Sequence, residues 1–123
     1  MIARMPRAVI VVDDDPVFRG LARRILSACG LEVVGEASTV KDALAMAEAL
    51  EPDALLVDVG LPDGNGIDLA QQLTALPWRP RVVLTSSDPD AANPEDVRRV
   101  GARAFVPKDE LPNAPLEELL DAA

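Results

Sequence analysis

The sequence predicts an α/β fold: a doubly wound parallel sheet of five strands with helices on both faces, in three layers. Two observations carry this prediction. The chain has five short apolar runs, most of them rich in Val, Leu or Ile and nearly continuous in apolar character, which is typical of strands buried on both faces. Capped helical patterns alternate strictly with these runs, which gives a (βα)5 order without a repeat or an internal linker. The 123 residues suit one domain, which we expect at 7–123 after a flexible lead at 1–6.

The predicted strands lie at residues 8–12, 33–37, 54–57, 81–85 and 104–107. Aromatic residues are limited to Phe18, Trp78 and Phe105, so the core has to be built from Ala, Val, Leu and Ile. Because crossovers between parallel strands are right-handed, few topologies remain for this order of elements.

Four of the five predicted helices have a recognisable start. Asp15 followed by Pro16 is typical of an N-cap with Pro at the first helical position. The second, third and fourth helices open at Thr39, Asn65 and Asn93, and the stops are Gly30, Pro52, Pro77 and Gly101. The fourth helix is short and weakly patterned and follows a long loop bracketed by Pro89 and Pro94, so we expect it to be unusually mobile.

Each of four predicted helices presents an apolar stripe to the sheet. In the first helix Val17, Leu21 and Ile25 share one face, which we expect to be buried. The other stripes are Val40, Ala43, Leu44, Ala47 and Leu50 in the second helix, Leu69, Leu73 and Leu76 in the third, and Leu116, Leu119, Leu120 and Ala123 in the fifth.

The composition argues against several classes of function. A formal net charge of −9 repels nucleic acid and anionic membrane surfaces, so we expect no direct binding to either. The chain has no His, which removes His-based catalysis and His metal ligands. Cys29 is the single cysteine, and we expect it to act as a small apolar residue near a helix end. No apolar run approaches the length of a membrane span, so the cytoplasm is the expected location.

Polar residues gather where four of the predicted strands end. They are Asp13, Asp14 and Asp15 after the first strand, Asp58 after the third, Thr85 at the end of the fourth and Lys108 after the fifth. The carboxyl ends of parallel strands share one rim, where open α/β sheets bind their ligands. Each residue alone has a structural explanation, such as a helix cap for Asp15 or a solvated loop lysine for Lys108. Their joint placement at one rim indicates a site.

The residue types at this rim suit phosphoryl transfer. We expect Asp13, Asp14 and Asp58 to lie close together. Carboxylates at such short distances raise the free-energy cost of one another's ionisation. A hard divalent cation removes this conflict, and oxygen-only ligands suit Mg²⁺. One carboxylate remains free to attack, while Lys108 and Thr85 offer a cation and a hydroxyl to phosphoryl oxygens. These are the parts of a metal-assisted phosphoryl transfer.

Four stretches together resemble the receiver domain of two-component response regulators. They are residues 10–16 (IVVDDDP), 53–66 (DALLVDVGLPDGNG), 83–87 (VLTSS) and 101–108 (GARAFVPK). The resemblance spans nearly the whole chain, and it implies a flavodoxin-like fold with strand order 2-1-3-4-5. It also implies phosphorylation by a histidine kinase or a phosphotransfer protein within a two-component phosphorelay.

The resemblance implies roles for the rim residues. Asp58 matches the phosphoacceptor, and Thr85 and Lys108 match the groups that contact the bound phosphoryl oxygens, so these three form the implied catalytic set. The implied Mg²⁺ ligands are Asp13, Asp14, Asp58 and the backbone carbonyl of Gly60, with Asp14 binding directly and Asp13 through water.

Other positions match the family's switch. Phe105 matches the aromatic switch residue that acts with Thr85, and Pro62 and Gly66 match the turn after the acceptor. The implied output surface is the fourth helix, fifth strand and fifth helix, which is also the expected surface of a homodimer. Gly60 and Ser87 occupy positions that influence how water reaches the phosphoryl group, so the resemblance leaves the phosphoryl lifetime open.

The predicted function is a phosphorylation switch that assists its own phosphorylation and dephosphorylation and does not turn over a separate substrate. An output protein or output domain would read the switch. One alternative is a degenerate receiver that acts as an interaction module independently of phosphorylation. Another is a phosphohydrolase with an aspartate nucleophile, suggested by Asp13-x-Asp15, although Val17 stands where that pattern has Thr.

Overall fold

The computed structural model describes residues 7–120 and contains one parallel sheet of five strands. The strands are β1 (Ala8–Val12), β2 (Glu32–Ala37), β3 (Ala54–Asp58), β4 (Arg81–Ser86) and β5 (Ala104–Pro107), in the order β2-β1-β3-β4-β5. The predicted fold class and the implied strand order are confirmed. The flexible lead expected at residues 1–6 lies outside the described residues, as does Ala123 of the fifth predicted stripe.

Within residues 7–120, five α-helices connect or follow the strands: α1 (Pro16–Ala28), α2 (Val40–Leu50), α3 (Gly66–Thr74), α4 (Pro94–Val100) and α5 (Leu116–Leu120). The predicted caps are confirmed, because the side chains of Asp15, Thr39, Asn65 and Asn93 each accept a hydrogen bond from a backbone N–H of the first turn. None of the helices within residues 7–120 is both long and apolar enough to span a membrane.

Two short elements were not predicted from the sequence. A small antiparallel hairpin pairs Gly60–Leu61 with Gly64–Asn65 directly after β3. A 3₁₀ helix covers Lys108–Asn113 between β5 and α5, and its one buried residue is Leu111. Neither segment is long enough to show a hydrophobic period. Pro112 inside the 3₁₀ helix makes that helix still harder to predict from the sequence.

The core lies on both faces of the sheet. Side chains alternate along β1, so Val9 and Val11 join one cluster with α1 and α5, while Ile10 and Val12 join the other with α2, α3 and α4. This arrangement covers both faces and leaves the ends of the strands as the sites where polar groups can gather.

The buried face of α1 differs from the predicted one at two of three positions, since Ile25 packs partly buried against the core. Val17 is 79% exposed and Leu21 40%, whereas Phe18, Ala22 and Leu26 are buried. The apolar series starting at residue 17 and the one starting at residue 18 both fit a helical period. In the folded chain the series Phe18, Ala22 and Leu26 faces the sheet. The small side chain of Ala22 lets α1 pack closely there.

The predicted stripe of α2 is also wrong at one position. Leu50 is 48% exposed because α2 ends there and Glu51 turns into the left-handed region with φ of 44°. Met46 packs against the core from the same helix.

Candidate functional site

The first acidic residues follow β1 directly. Asp13 is fully buried, and its backbone N–H donates to the carbonyl of Ala37 at 2.9 Å. One oxygen of its carboxylate accepts from the N–H of Asp15 at 2.8 Å. Asp14 is exposed, and the carboxylate of Asp15 accepts from the N–H of Val17 as the cap of α1. Asp13 is therefore held firmly, and Asp15 serves the helix.

Asp58 ends β3 and is 6% exposed. It stands opposite Thr85 in the register of the sheet, and the next N–H, of Val59, donates to the carbonyl of Thr85 at 2.9 Å. Burial raises the pKa of Asp58 to about 6, helped by the nearby Asp13 carboxylate and opposed by Lys108 and the N–H of Gly60. The fold thus holds this carboxylate where its charge is disfavoured.

Three carboxylates meet at this point. One oxygen each from Asp13, Asp14 and Asp58 lie within 4.8 Å of one another. An all-oxygen set with two buried members fits a hard divalent cation such as Mg²⁺. Gly60 lies in the adjoining hairpin, and the role implied for its carbonyl stays a prediction.

Lys108 brings a positive charge to the cluster from the end of β5. Its Nζ lies 2.7 Å from Oδ2 of Asp13 and 3.8 Å from Oδ2 of Asp58. The same ammonium lies 4.2 Å from the centre of the Phe18 ring, which is buried beneath it. Sequence reasoning counted Phe18 only among the aromatic residues and did not predict this contact.

Thr85 supplies a hydroxyl with no partner. The residue is fully buried, and within residues 7–120 its Oγ1 has no hydrogen-bond partner. Buried hydroxyl groups are normally satisfied, so an unsatisfied one beside Asp58 indicates a place for a ligand atom.

The loop after Asp58 is shaped by Gly66. A Cβ at this position would overlap the carbonyl oxygen of Asp58 and lie 2.8 Å from Cα of Val59, so the first residue of α3 must lack a side chain. The N–H of Gly66 also donates to the carbonyl of Val59 at 2.8 Å. Pro62 is exposed between the two strands of the hairpin, as expected for a turn.

Asp63 ties the hairpin to α2. Its carboxylate accepts from the N–H groups of Val40 at 2.7 Å and Lys41 at 3.1 Å. These hydrogen bonds, that of Val40 foremost, lower the pKa of Asp63. Sequence reasoning gave Asp63 no role, since its partners lie in a distant element of the chain.

The predicted switch residue Phe105 lies in β5 and is half-buried against the core. Its ring borders a groove of about 360 Å³ beside α4, lined by Ala92, Asn93, Pro94, Val97, Arg98, Ala104 and Phe105. The following residue, Val106, pairs with Thr85 in the sheet.

An ion-pair network on α1 contacts the acidic loop from outside. Arg19 donates to the carbonyl of Asp13 at 2.7 Å and to the carboxylate of Glu36 at 3.0 Å. Arg23 donates twice to the other oxygen of Glu36. Hydrogen bonds from Arg23, followed by those from Arg19, lower the pKa of Glu36. Sequence reasoning missed this network because its members lie on two elements.

Comparisons with known proteins agree on the type of domain. A family model described as response regulator receiver domain matches residues 9–120. The DNA-binding transcriptional activator DevR/DosR of Mycobacterium tuberculosis is 40% identical over 106 residues, which cover 85% of this chain and 48% of that protein. Chemotaxis protein CheY of Thermotoga maritima is 28% identical over 115 residues, which cover 94% of this chain and 96% of CheY.

A solved structure gives the same result. The NarL signal receiver domain from Mycobacterium tuberculosis matches with a TM-score of 0.79 and 31% identity, covering 94% of this chain and 98% of that one. The chain spans about half the length of several curated relatives, such as DevR/DosR, and nearly all of CheY.

Proposed function

The chain belongs to the response regulator receiver family, and on that premise we propose that it is a phosphorylation switch in which Asp58 accepts a phosphoryl group. The donor is a histidine kinase or a phosphotransfer protein. One observation carries the proposal: Asp58 is a buried carboxylate facing Lys108, beside a buried Thr85 hydroxyl that has no partner within residues 7–120. These groups suit a phosphoryl group bound at Asp58.

The site also suits a divalent cation. Asp13, Asp14 and Asp58, with the carbonyl of Gly60, would hold Mg²⁺. When bound, Mg²⁺ neutralises the crowded carboxylates and the charge of the phosphoryl oxygens. We expect weak binding, because few protein ligands are available and Mg²⁺ keeps several of its waters at such sites.

The chain's own residues account for the transfer step. An oxygen of Asp58 forms a bond to phosphorus while the bond from phosphorus to the donor's nitrogen breaks, and the nitrogen keeps the electron pair. With a pKa of about 6, Asp58 is mostly ionised at pH 7 and can act as the nucleophile. Lys108 then pairs with a phosphoryl oxygen, and Thr85 donates its hydroxyl to another.

The output surface in this proposal is α4, β5 and α5. Movement of Thr85 toward the phosphoryl group makes room beneath β5, and Phe105 rotates to fill it. Burying more of this half-exposed ring stabilises the active arrangement by about 1–2 kcal/mol, enough to shift a two-state balance roughly tenfold. The switch is read in the cytoplasm by an output domain or an output protein.

A labelling experiment tests the function. The purified chain is incubated with a small phosphodonor, with Mg²⁺ or with EDTA, and phosphoryl incorporation is measured by intact mass. We expect one phosphoryl group per chain with Mg²⁺ and none in EDTA. An EDTA-insensitive rate would contradict the metal's role, and absence of labelling would favour the phosphorylation-independent interaction module.

Amide chemical shifts test the output surface. On phosphorylation we expect changes that extend from the loops around Asp58 to residues 94–107. Changes confined to those loops would show that Thr85 and Phe105 do not couple the site to α4 and β5.

A further inference from the structure

Arg19 makes a contact that the proposed phosphoryl transfer does not use. It projects from α1, and its side chain is 19% exposed. Its Nη1 donates to the backbone carbonyl of Asp13 at 2.7 Å, while its Nε donates to Glu36 at 3.0 Å. One guanidinium therefore joins the acidic loop to β2.

The far end of this bridge is well anchored. Glu36 lies on β2 and also accepts two hydrogen bonds from Arg23, at 3.0 and 2.7 Å. Arg23 in turn donates to the carbonyl of Val33 at 3.1 Å. Because Glu36 is also part of β2, which pairs with β1, its carboxylate gives the Arg19 guanidinium a fixed partner.

The near end of the bridge acts on the peptide that carries Asp14. The carbonyl of Asp13 belongs to the planar unit that also contains the N–H and Cα of Asp14. Holding that oxygen therefore fixes the plane from which the Asp14 side chain departs. Asp14 is exposed, so packing does little to orient it, in contrast to the fully buried Asp13.

We propose that Arg19 is a positioning residue of the phosphorylation site: it fixes the peptide between Asp13 and Asp14 so that both carboxylates face one divalent cation. The inference rests on the proposed function. It assigns Arg19 a geometric role, which differs from the general effect of a positive charge near three carboxylates. Groups that orient metal ligands commonly change metal affinity 10–100-fold when they are removed.

Direct Mg²⁺ binding tests the inference without phosphorylation. Mg²⁺ is titrated into the purified chain, and its Kd is obtained from amide chemical shifts. Arg19→Lys keeps the charge but cannot reach Asp13 and Glu36 together, and Arg19→Gln removes the charge as well. We expect both variants to bind Mg²⁺ about tenfold more weakly than the wild type. Wild-type affinity in Arg19→Lys would show that only the charge matters and would overturn the inference.

Arg23→Lys is the matched control. It keeps a cation beside Glu36 and leaves both contacts of Arg19, with Glu36 and with Asp13, in place. We expect its Kd to stay within about twofold of the wild type. A tenfold loss in this control as well would mean that the whole network merely supports β2 and α1, and would overturn the assignment to Arg19.

A further variant covers the case in which the Arg19 variants do not fold, as judged by thermal unfolding in EDTA. Glu36→Gln keeps Arg19 and weakens its anchor, so we expect Mg²⁺ to bind several-fold more weakly; unchanged affinity would contradict the inference.

Phosphoryl labelling separates this inference from the proposed function. A wild type that binds Mg²⁺ but takes no phosphoryl group contradicts the function alone, whereas a wild type that binds no Mg²⁺ overturns both.

Discussion

Asp53 and Asp58 lie at opposite ends of β3 in the sheet, and their carboxylates have opposite surroundings. At the amino ends of the strands, the carboxylate of Asp53 accepts a hydrogen bond from the N–H of Ala8 at 2.8 Å. Its Oδ1 lies 4.0 Å from Nη1 of Arg7. At the carboxyl end of the same strand, Asp58 lies among other carboxylates, and burial raises its pKa to about 6. β3 therefore directly follows an aspartate that has partners within the chain, and it ends at an aspartate whose charge is disfavoured.

The same contrast holds for neutral polar groups. Trp78 at the amino ends donates its indole N–H to the carbonyl of Pro52 at 2.9 Å. Thr85 at the carboxyl ends has a buried hydroxyl without a partner within residues 7–120. A buried hydroxyl without a partner reduces stability, and a ligand oxygen bound beside Asp58 would remove this cost at Thr85.

The largest effect that tests this contrast is the loss of labelling in Asp58→Asn. An amide does not attack phosphorus as a carboxylate does, and it is a poorer metal ligand, so we expect phosphoryl incorporation from a small donor to be abolished. Intact mass after incubation with Mg²⁺ measures this.

Asp53→Asn is the control at the opposite end of β3. It makes the same chemical change, and we expect it to be labelled at the wild-type rate. Full labelling of Asp58→Asn, or loss of labelling in Asp53→Asn, would break the contrast between the two ends.

Lys108→Ala should have the next largest effect. Lys108 lies 3.8 Å from Asp58, so its loss matters most once phosphoryl oxygens are present. We expect the phosphorylation rate at saturating Mg²⁺ to fall on the order of a hundredfold, with Mg²⁺ affinity largely kept. A variant with wild-type phosphorylation rate and wild-type partner binding would rule out this role.

A third prediction concerns stability in EDTA. A raised folded pKa means that the native state binds the Asp58 proton more tightly than the unfolded chain does. The ionised carboxylate of Asp58 therefore lowers the free energy of unfolding, and this effect is at its full size above pH 6. The effect disappears as pH falls from about 6 to 3.8. We expect Asp58→Asn to raise the free energy of unfolding by about 2–3 kcal/mol at pH 7.5 and to differ little from the wild type near pH 4.

Urea unfolding at both pH values measures this difference. Asp53→Asn again provides the comparison, because it removes the carboxylate facing Arg7 across a partly exposed pair. We expect it to lower the free energy of unfolding by about 0–1 kcal/mol. A destabilised Asp58→Asn at pH 7.5 would show that the charge of Asp58 is well compensated.

The sequence allowed the strands, the helix caps and the rim cluster to be predicted, because each depends on local pattern or on a general rule. Asp15 and Asn93 cap helices through residues close to them in the chain. The rule that parallel strands share a carboxyl rim predicts that Asp13, Asp58 and Lys108 lie close together.

The supporting contacts could not be predicted, because they depend on how elements pack. Two apolar series compete for the buried face of α1, and the one that contains Phe18 places its ring under Lys108. Arg19 and Glu36 belong to α1 and β2, and nothing in either segment alone indicates that they meet. Periodicity assigns a face to a helix but does not fix its rotation against the sheet when several faces are apolar.

The smallest expected effect lies at Asp63, which sharpens the contrast within the carboxyl end itself. Hydrogen bonds from the N–H groups of Val40 and Lys41 lower the pKa of Asp63 below its usual 3.8. A lowered folded pKa contributes stability above the unfolded pKa and loses it as pH falls through the folded pKa, opposite in sign to Asp58. We expect Asp63→Asn to lower Tm slightly at pH 7, because the amide keeps one acceptor oxygen, and the difference to disappear well below pH 3.8. Glu48→Gln, on the exposed face of α2, makes the same change in net charge and should leave Tm nearly unchanged. If Asp63→Asn instead raised Tm at pH 7, the charge of Asp63 would destabilise the fold, as predicted for the charge of Asp58. The hydrogen bonds of Asp63 to α2 would then not stabilise the hairpin.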